Sequence, residues 1–378
     1  MEFFPTGGSL SLMPKEPVDL LGLSRDELRE ELAALGCPPF RAGQVLRWVY
    51  ARRLLDFSEM TDIPAPLRAD LAGRFRLGLP EVVRETGSGD TTRKFLFGLA
   101  DGQRIETVLI PASPGLYGER ADRLTLCVSS QVGCAYGCKF CASGLDGWKR
   151  NLSTGEIVAQ VLAAERLCGD RISNIVFMGM GEPFANYDSL MQAIRILNAG
   201  WGVGLGARHM TVSTSGLVPR IRDFADQPLQ IRLAISLHGA TDAVRGLIMP
   251  VNSRYPLDEL LAACAYFTSR KKQHVTFEYI LISGVNDTTA QAEALAVHAT
   301  RVRAKVNLIP YNTVEGLPWQ RPPVRVQDEF LRVLRRRGVA ATLRREKGHD
   351  ISAACGQLRL MTPSPEPKIP FASGVPAA

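Results

Sequence analysis

The spacing of apolar positions divides the chain into stretches of different rhythm. Ser24 and Glu27, three apart, form a capping box ahead of "LREELAAL", and Gly36 closes that predicted helix. A second helical stretch, "RAGQVLRWVYARRLL", sets Val45, Trp48 and Val49 at helical spacing beside a basic face. In "TRKFLFGLADGQRIETVLIP" the period falls to two on either side of the turn-forming "ADGQ", which predicts a β-hairpin. From residue 123 onward short apolar runs alternate with amphipathic segments. The runs "LTLCV", "NIVFMG", "HMTVST", "IRLAISLH", "VTFEYILI" and "KVNLIPY" read as strands, with "AATLRR" trailing. Between them "TGEIVAQVLAAERL", "DSLMQAIRILN", "LDELLAACAYFTS", "TAQAEALAVHAT" and "QDEFLRVLRRR" read as helices.

Strand alternating with helix implies parallel pairing through right-handed crossovers. Six such units make either a partial barrel or an open α/β sheet, and both put the ligand site at the C-terminal ends of the strands. Those ends carry chemistry: a three-cysteine loop after the first strand, then "GMGEP", "STSG", "SLH" and "PYN". The expected organisation is an N-terminal helical accessory domain over 1–85, a β-hairpin linker over 86–122 and the α/β unit over 123–362. A tail over 363–378 has the Pro-rich, core-poor composition of disorder.

Composition narrows the class without naming it. The chain has 378 residues, 46% of them hydrophobic, enough for one large domain and a smaller one. No run approaches the length of a membrane span, and "MEFFPTGGSLSLMPKEP" lacks the order of a signal peptide, so the expected location is cytoplasmic. Forty-five Lys and Arg against 38 Asp and Glu give a formal charge of +7, which favours a polyanionic partner. Basic clusters at Arg52 and Arg53, Arg270 to Lys272, Arg335 to Arg337, and Arg344, Arg345 and Lys347 read individually as solvated helix faces and ends. The eight cysteines, without a secretory signal, point to metal or redox chemistry rather than disulfides. Of these, Cys37, Cys168 and Cys264 fall in or beside helical patterns and read as small apolar residues.

"CAYGCKFC" holds Cys134, Cys138 and Cys141 in the spacing C-x3-C-x2-C. A closed zinc site takes four ligands, and no fourth stands at finger spacing. An iron-sulfur cubane held by three thiolates leaves one iron open to a small molecule. With Phe140 before the last cysteine, the motif resembles the signature of radical S-adenosylmethionine (SAM) enzymes. That resemblance implies one 4Fe-4S cluster and a partial (βα)6 barrel.

The match extends further. "TLCVSSQVGCAYGCKFCASG", "FMGMGEP", "TVSTSG", "AISLH", "LIPYN" and "GHDISAACGQL" resemble the RlmN and Cfr family of radical SAM RNA methyltransferases. "FRAGQVLRWVY" and "FSEMTDIP" are similar to its N-terminal domain. The resemblance implies that Cys355 accepts a methyl group from one SAM, that a second SAM supplies the radical, and that Cys127 resolves the adduct as a transient disulfide with Cys355. Glu106 would accept the ring proton, although as a lone Glu on a predicted strand it would otherwise read as solvent-exposed. SAM contacts are implied at Gly181, Glu182, Ser213, Ser236, Leu237, His238 and Asn312. His349 departs from the acidic or small residue frequent in the family. The implied substrate is an adenosine of 23S ribosomal RNA, methylated at C2, with a tRNA anticodon-loop adenosine as a second candidate and a flavodoxin-type reductant. Phosphate contacts are expected from the segments around Arg52, Arg270 and Arg335. The C8-methylating, antibiotic-resistance branch stands as the alternative.

Overall fold

The computed structural model describes residues 17–112, 123–145, 147–344, 347–348 and 350–358; the tail 363–378 and His349 lie outside them. β1 (Val18–Asp19) leads to α1 (Arg25–Ala34), whose N-terminus carries the expected capping box between Ser24 and Glu27. α2 (Phe40–Leu46) continues into one π turn over Arg47–Ala51, so the long second helix of the sequence pattern is interrupted. α3 (Ala65–Arg74) then delivers β2 (Phe75–Arg76), which pairs in parallel with β1.

β3 (Glu81–Gly87), β4 (Arg93–Gly98) and β5 (Arg104–Pro111) form an antiparallel meander. The β4–β5 hairpin is the one legible in the sequence. β3 left little signal because it is an edge strand with most side chains exposed, so "EVVRETG" has no apolar face to read. β5 also pairs with β6 (Leu124–Cys127), which makes the meander part of the main sheet.

From β6 the chain alternates as expected. A small ribbon of β7 (Gln131–Gly133) and β8 (Trp148–Asn151) precedes α4 (Thr154–Cys168), β9 (Asn174–Phe177), α5 (Tyr187–Asn198) and β10 (Met210–Thr214). α6 (Val218–Asp226), β11 (Arg232–Ser236), α7 (Asp242–Ile248), α8 (Leu257–Lys271), β12 (Thr276–Leu281), α9 (Thr289–Val302), β13 (Lys305–Pro310), α10 (Val324–Arg336) and β14 (Ala341–Leu343) follow. The ten-stranded sheet has the order β14-β13-β12-β11-β10-β9-β6-β5-β4-β3. Neighbours from β6 to β14 pair in parallel, so their C-terminal ends open on one face. "AATLRR" is therefore a seventh parallel strand that brings Arg344 to that face. One apolar core runs from Leu20 and Trp48 through the sheet to Phe330, joining the N-terminal helices to the α/β unit. Among the described residues no helix is long and apolar enough to cross a membrane.

At the end of β6 the sheet leaves its ladder, and a buried glutamine replaces the missing pairing. Gln160 of α4 accepts from Thr107 Oγ1 at 2.8 Å and from Ser129 N at 2.9 Å, and its Nε2 donates to Ser129 O at 3.0 Å. Gln160→Leu strands all three partners without water, and we expect it to destabilise the chain by about 2–4 kcal/mol. Urea denaturation of the intact chain reads this as a lower midpoint with an unchanged m-value.

Candidate active site

The three-cysteine loop is held between the strands of the small ribbon. Gly133 has φ +72°, and a Cβ there would collide with the carbonyl of Gly147 across the ribbon, so the closure needs glycine. Further ties come from outside: Cys134 N donates to Gly147 O at 3.2 Å, Lys139 N to Ile248 O at 2.9 Å, and Ala142 N to Gly356 O at 2.7 Å. Cys134, Cys138 and Cys141 line one cavity, and burial drives all three thiols upward, Cys134 to about 12. Among the described residues no three His, Cys, Asp or Glu side chains converge on one metal ion.

"GMGEP" forms the neighbouring wall and is zipped to "VSSQVG": Ser130 N donates to Met180 O at 2.9 Å and Gly179 N to Val128 O at 3.1 Å. Gly181 has φ +98° and lies against Gln131, leaving no room for a side chain. Gln131 Oε1 accepts from Glu182 N at 2.8 Å. The Glu182 carboxylate is buried, which raises its pKa, and accepts from Phe184 N at 3.1 Å and Ser215 N at 2.7 Å.

Ser213 and Ser236 project from adjacent strands with their hydroxyls 3.5 Å apart. Ser215, absent from the expected set although it stands in "STSG", has a buried hydroxyl beside the Glu182 carboxylate and lines the same cavity. His238 follows β11 in the left-handed region at φ 57°. Its Nδ1 accepts from Ile280 N at 3.0 Å and its ring packs edge-on against Phe140, centroids 4.7 Å apart. Burial, with Arg245 nearby, lowers its pKa to about 3, so the ring is neutral and Nε2 carries the proton.

Other expected residues fall elsewhere. Leu237 is buried in the core, and its carbonyl accepts from Arg245 Nε at 3.1 Å. Asn312 lies on a second cavity, where Nδ2 donates to Cys355 O at 3.2 Å. That cavity is also lined by Cys127, Arg344 and Lys347, and Cys355 belongs to the wall between the two. Thus Cys127 and Cys355, far apart in sequence, open on one space. Burial, reinforced by Cys355, raises the Cys127 thiol to about 12. Glu106 is only 4% exposed rather than solvated, paired with Lys94 Nζ at 3.0 Å, and Lys94 also donates to Ser352 O at 3.2 Å.

The basic clusters divide. Arg270 pairs with Asp226, Arg336 and Arg337 with Glu293, and Arg53 with Glu165. Arg344 and Lys347, read from sequence as solvated, are half-buried at the second cavity because β14 ends there.

The fit to an iron-sulfur cluster and SAM rests on three half-buried thiols that line one cavity together with serine hydroxyls, a neutral imidazole donor and a carboxylate. Three thiolates suit a cubane with one open iron.

Comparison with known proteins agrees. Residues 18–77 match the ribosomal RNA large subunit methyltransferase N-terminal domain, and residues 128–295 match the radical SAM superfamily. A protein of Akkermansia muciniphila named "Probable dual-specificity RNA methyltransferase RlmN" is 51% identical over 348 residues, 92% of this chain and 97% of that protein. One of Opitutus terrae, "Probable dual-specificity RNA methyltransferase RlmN 3", is 53% identical over 363 residues, 93% of this chain and 97% of that protein. The crystal structure of a radical SAM methyltransferase from Sphaerobacter thermophilus has a TM-score of 0.85 at 49% identity, covering 91% of this chain and 99% of that one. With two family matches in register on the fold and relatives of about its own length, the chain belongs to the RlmN family within the radical SAM superfamily.

Proposed function

We propose that the chain methylates C2 of an adenine in RNA, with 23S ribosomal RNA as the main substrate and tRNA as a second, and that the methyl group passes through Cys355. The observation that carries this reading is the position of Cys355 in the wall between the cysteine-lined cavity and the cavity holding Cys127. A sulfur there can face a methyl donor on one side and a base on the other. Adenine C2 is electron-poor and does not displace a methyl group from a sulfonium, so the transfer needs a thiol relay and a radical step.

When bound, the cluster supplies an electron for reductive cleavage of SAM, delivered to it by an external reductant of the flavodoxin class. The protein's residues do the rest. Cys134, Cys138 and Cys141 would hold the cluster, and Glu182 would accept from the SAM ammonium. His238 Nε2–H, Ser213, Ser215 and Ser236 would offer donors to polar groups of the cofactor when it is bound. Leu237 would contribute through its backbone, and Asn312 by fixing the Cys355 carbonyl. Cys127, buried beside Cys355, would form the disulfide that releases the methylated base. Glu106 would take the ring proton, with Lys94 holding its charge.

The test uses anaerobically reconstituted protein, a reductant, unmodified ribosomal RNA and SAM with a deuterated methyl group. We expect labelled 2-methyladenosine and 5′-deoxyadenosine from the wild type, no methyladenosine from Cys355→Ala, and a stalled protein–RNA adduct from Cys127→Ala. Labelled 8-methyladenosine would move the chain to the C8 branch.

A second expectation concerns His238, whose pKa is depressed from 6.5 to about 3 by burial. Its contribution to stability is complete above the unfolded value and is lost as pH falls from 6.5 toward 3, because the unfolded ring takes the proton first. Imidazole nitrogen NMR should show the Nε2–H tautomer unchanged between about pH 8 and 5. Titration near the ordinary histidine value would refute the assigned donor.

A further inference from the structure

The segment carrying Cys355 is gripped by its main chain. Asn312 Nδ2 holds the Cys355 carbonyl at 3.2 Å, Ala142 N holds Gly356 O at 2.7 Å, and Lys94 Nζ holds Ser352 O at 3.2 Å. None of these bonds touches the sulfur. Among the described residues, the side chain that does is Arg344, whose Nη1 donates to Cys355 Sγ at 3.4 Å.

Arg344 reaches this position because β14 is a strand of the parallel sheet rather than a loose end. Its N–H continues the ladder with a bond to Leu308 O at 2.8 Å, which fixes where the side chain leaves the sheet. The guanidinium lies in the wall of the second cavity with Cys127 and Cys355. Its charge is favoured by Cys355 above all, then by Glu278 and Cys127. The Glu278 carboxylate accepts from Asn307 Nδ2 at 2.7 Å and acts on Arg344 through its charge.

We propose that Arg344 is the positioning residue of the methyl-accepting sulfur: its guanidinium holds the Cys355 thiolate between the two cavities and releases it once the sulfur is methylated. This inference rests on the reading of Cys355 as the methyl acceptor. In that step a lone pair on the thiolate forms a bond to the methyl carbon of SAM. The bond from that carbon to the sulfonium breaks, and its electron pair stays on the departing S-adenosylhomocysteine. No oxidant or reductant is consumed. The protein sulfur passes from anion to neutral thioether, and the charge-assisted hydrogen bond from Arg344 is lost with the charge. The methyl-bearing sulfur is then free to turn toward the second cavity, where the base would enter. Arg344 thus distinguishes the two states of Cys355 that the relay requires.

Two measurements test this. In the first, metal-free protein is treated with iodoacetamide and the Cys355 peptide is followed by mass spectrometry, which needs neither cluster nor RNA. In the second, cluster-loaded protein is given labelled SAM without RNA, and methyl on the same peptide is timed. We expect Arg344→Gln to slow both by about tenfold or more, the effect of one lost hydrogen bond to a charged group. Arg344→Lys should recover most of both rates, because it returns a cation to the sulfur. SAM affinity and iron content should match the wild type in both variants. Arg344→Met takes the place of the glutamine variant should that one not fold. Unchanged rates in Arg344→Gln, or rates in Arg344→Lys as low as in the neutral variant, would overturn the proposal. Absence of methyl on the wild-type Cys355 peptide would instead remove the acceptor reading, and the alkylation comparison would still report on the contact with Arg344.

Discussion

The hydrogen bond from Ala142 N to Gly356 O, 2.7 Å long, joins two loops on which the site depends. A second bond, Ser143 Oγ to Leu358 O at 2.7 Å, spans 215 residues and reinforces it. One loop carries the three thiols, the other carries Cys355. Apart from a 3-10 turn over Ala142–Gly144, neither has regular structure among the described residues, so their relative position is set by these contacts and by the sheet ends beneath them. A site divided among loops from the first and last units of the α/β region exists only when the whole sheet is assembled. This is a strong reason for placing it on a scaffold with one continuous core rather than on a mobile appendage.

The same constraint explains where the fold accepts unusual residues. Gly133 and Gly181 both have positive φ, and each lies where two loops approach too closely for a side chain. Gln160 is a fully buried amide in a helix that is otherwise mostly apolar on its inner face. It is there because β6 stops short and leaves the Ser129 N–H and C=O without a strand partner. Each of these departures from ordinary helix, strand or core composition marks the end of a strand where the chain leaves the ladder to build the site.

Much of this was legible in the sequence. The alternation after residue 123 gave the strands in their correct chain order, and the placement of "CAYGCKFC", "GMGEP", "STSG" and "SLH" after successive strands located the functional face. The signal failed where tertiary structure overrides local pattern. β3 is an edge strand with few buried side chains and so has no apolar face to display. Arg344 stood in a basic cluster whose ordinary reading is a solvated surface, and only the pairing of β14 with β13 turns it inward. Glu106 looked like an exposed strand carboxylate, yet the meander joins the main sheet and buries it against Lys94. Leu237 and Asn312 came from motif position, which does not say whether a side chain, a carbonyl or a neighbouring loop meets the cavity.

Burial acts on every titratable group here in one direction, toward neutrality. The three thiols, Cys127 and Glu182 are pushed up, and His238 is pushed down. Arg245 is fully buried and drawn down to about 10, its guanidinium held by the carbonyls of Leu237 and Ser215 and by Asn252 Oδ1. The metal-free site therefore keeps its three cluster thiols and Cys127 protonated while two arginines, Arg245 and Arg344, retain charge beside it. A buried cation is stable only where its hydrogen bonds are met and an opposite charge is near. Three thiolates brought out of the neutral state by metal, and the anionic form of Cys355 beside Arg344, would supply that opposite charge. The electrostatics of the pocket thus favour the loaded state in the same region where the hydrogen-bond geometry shapes it, and protons must leave as the ligands form.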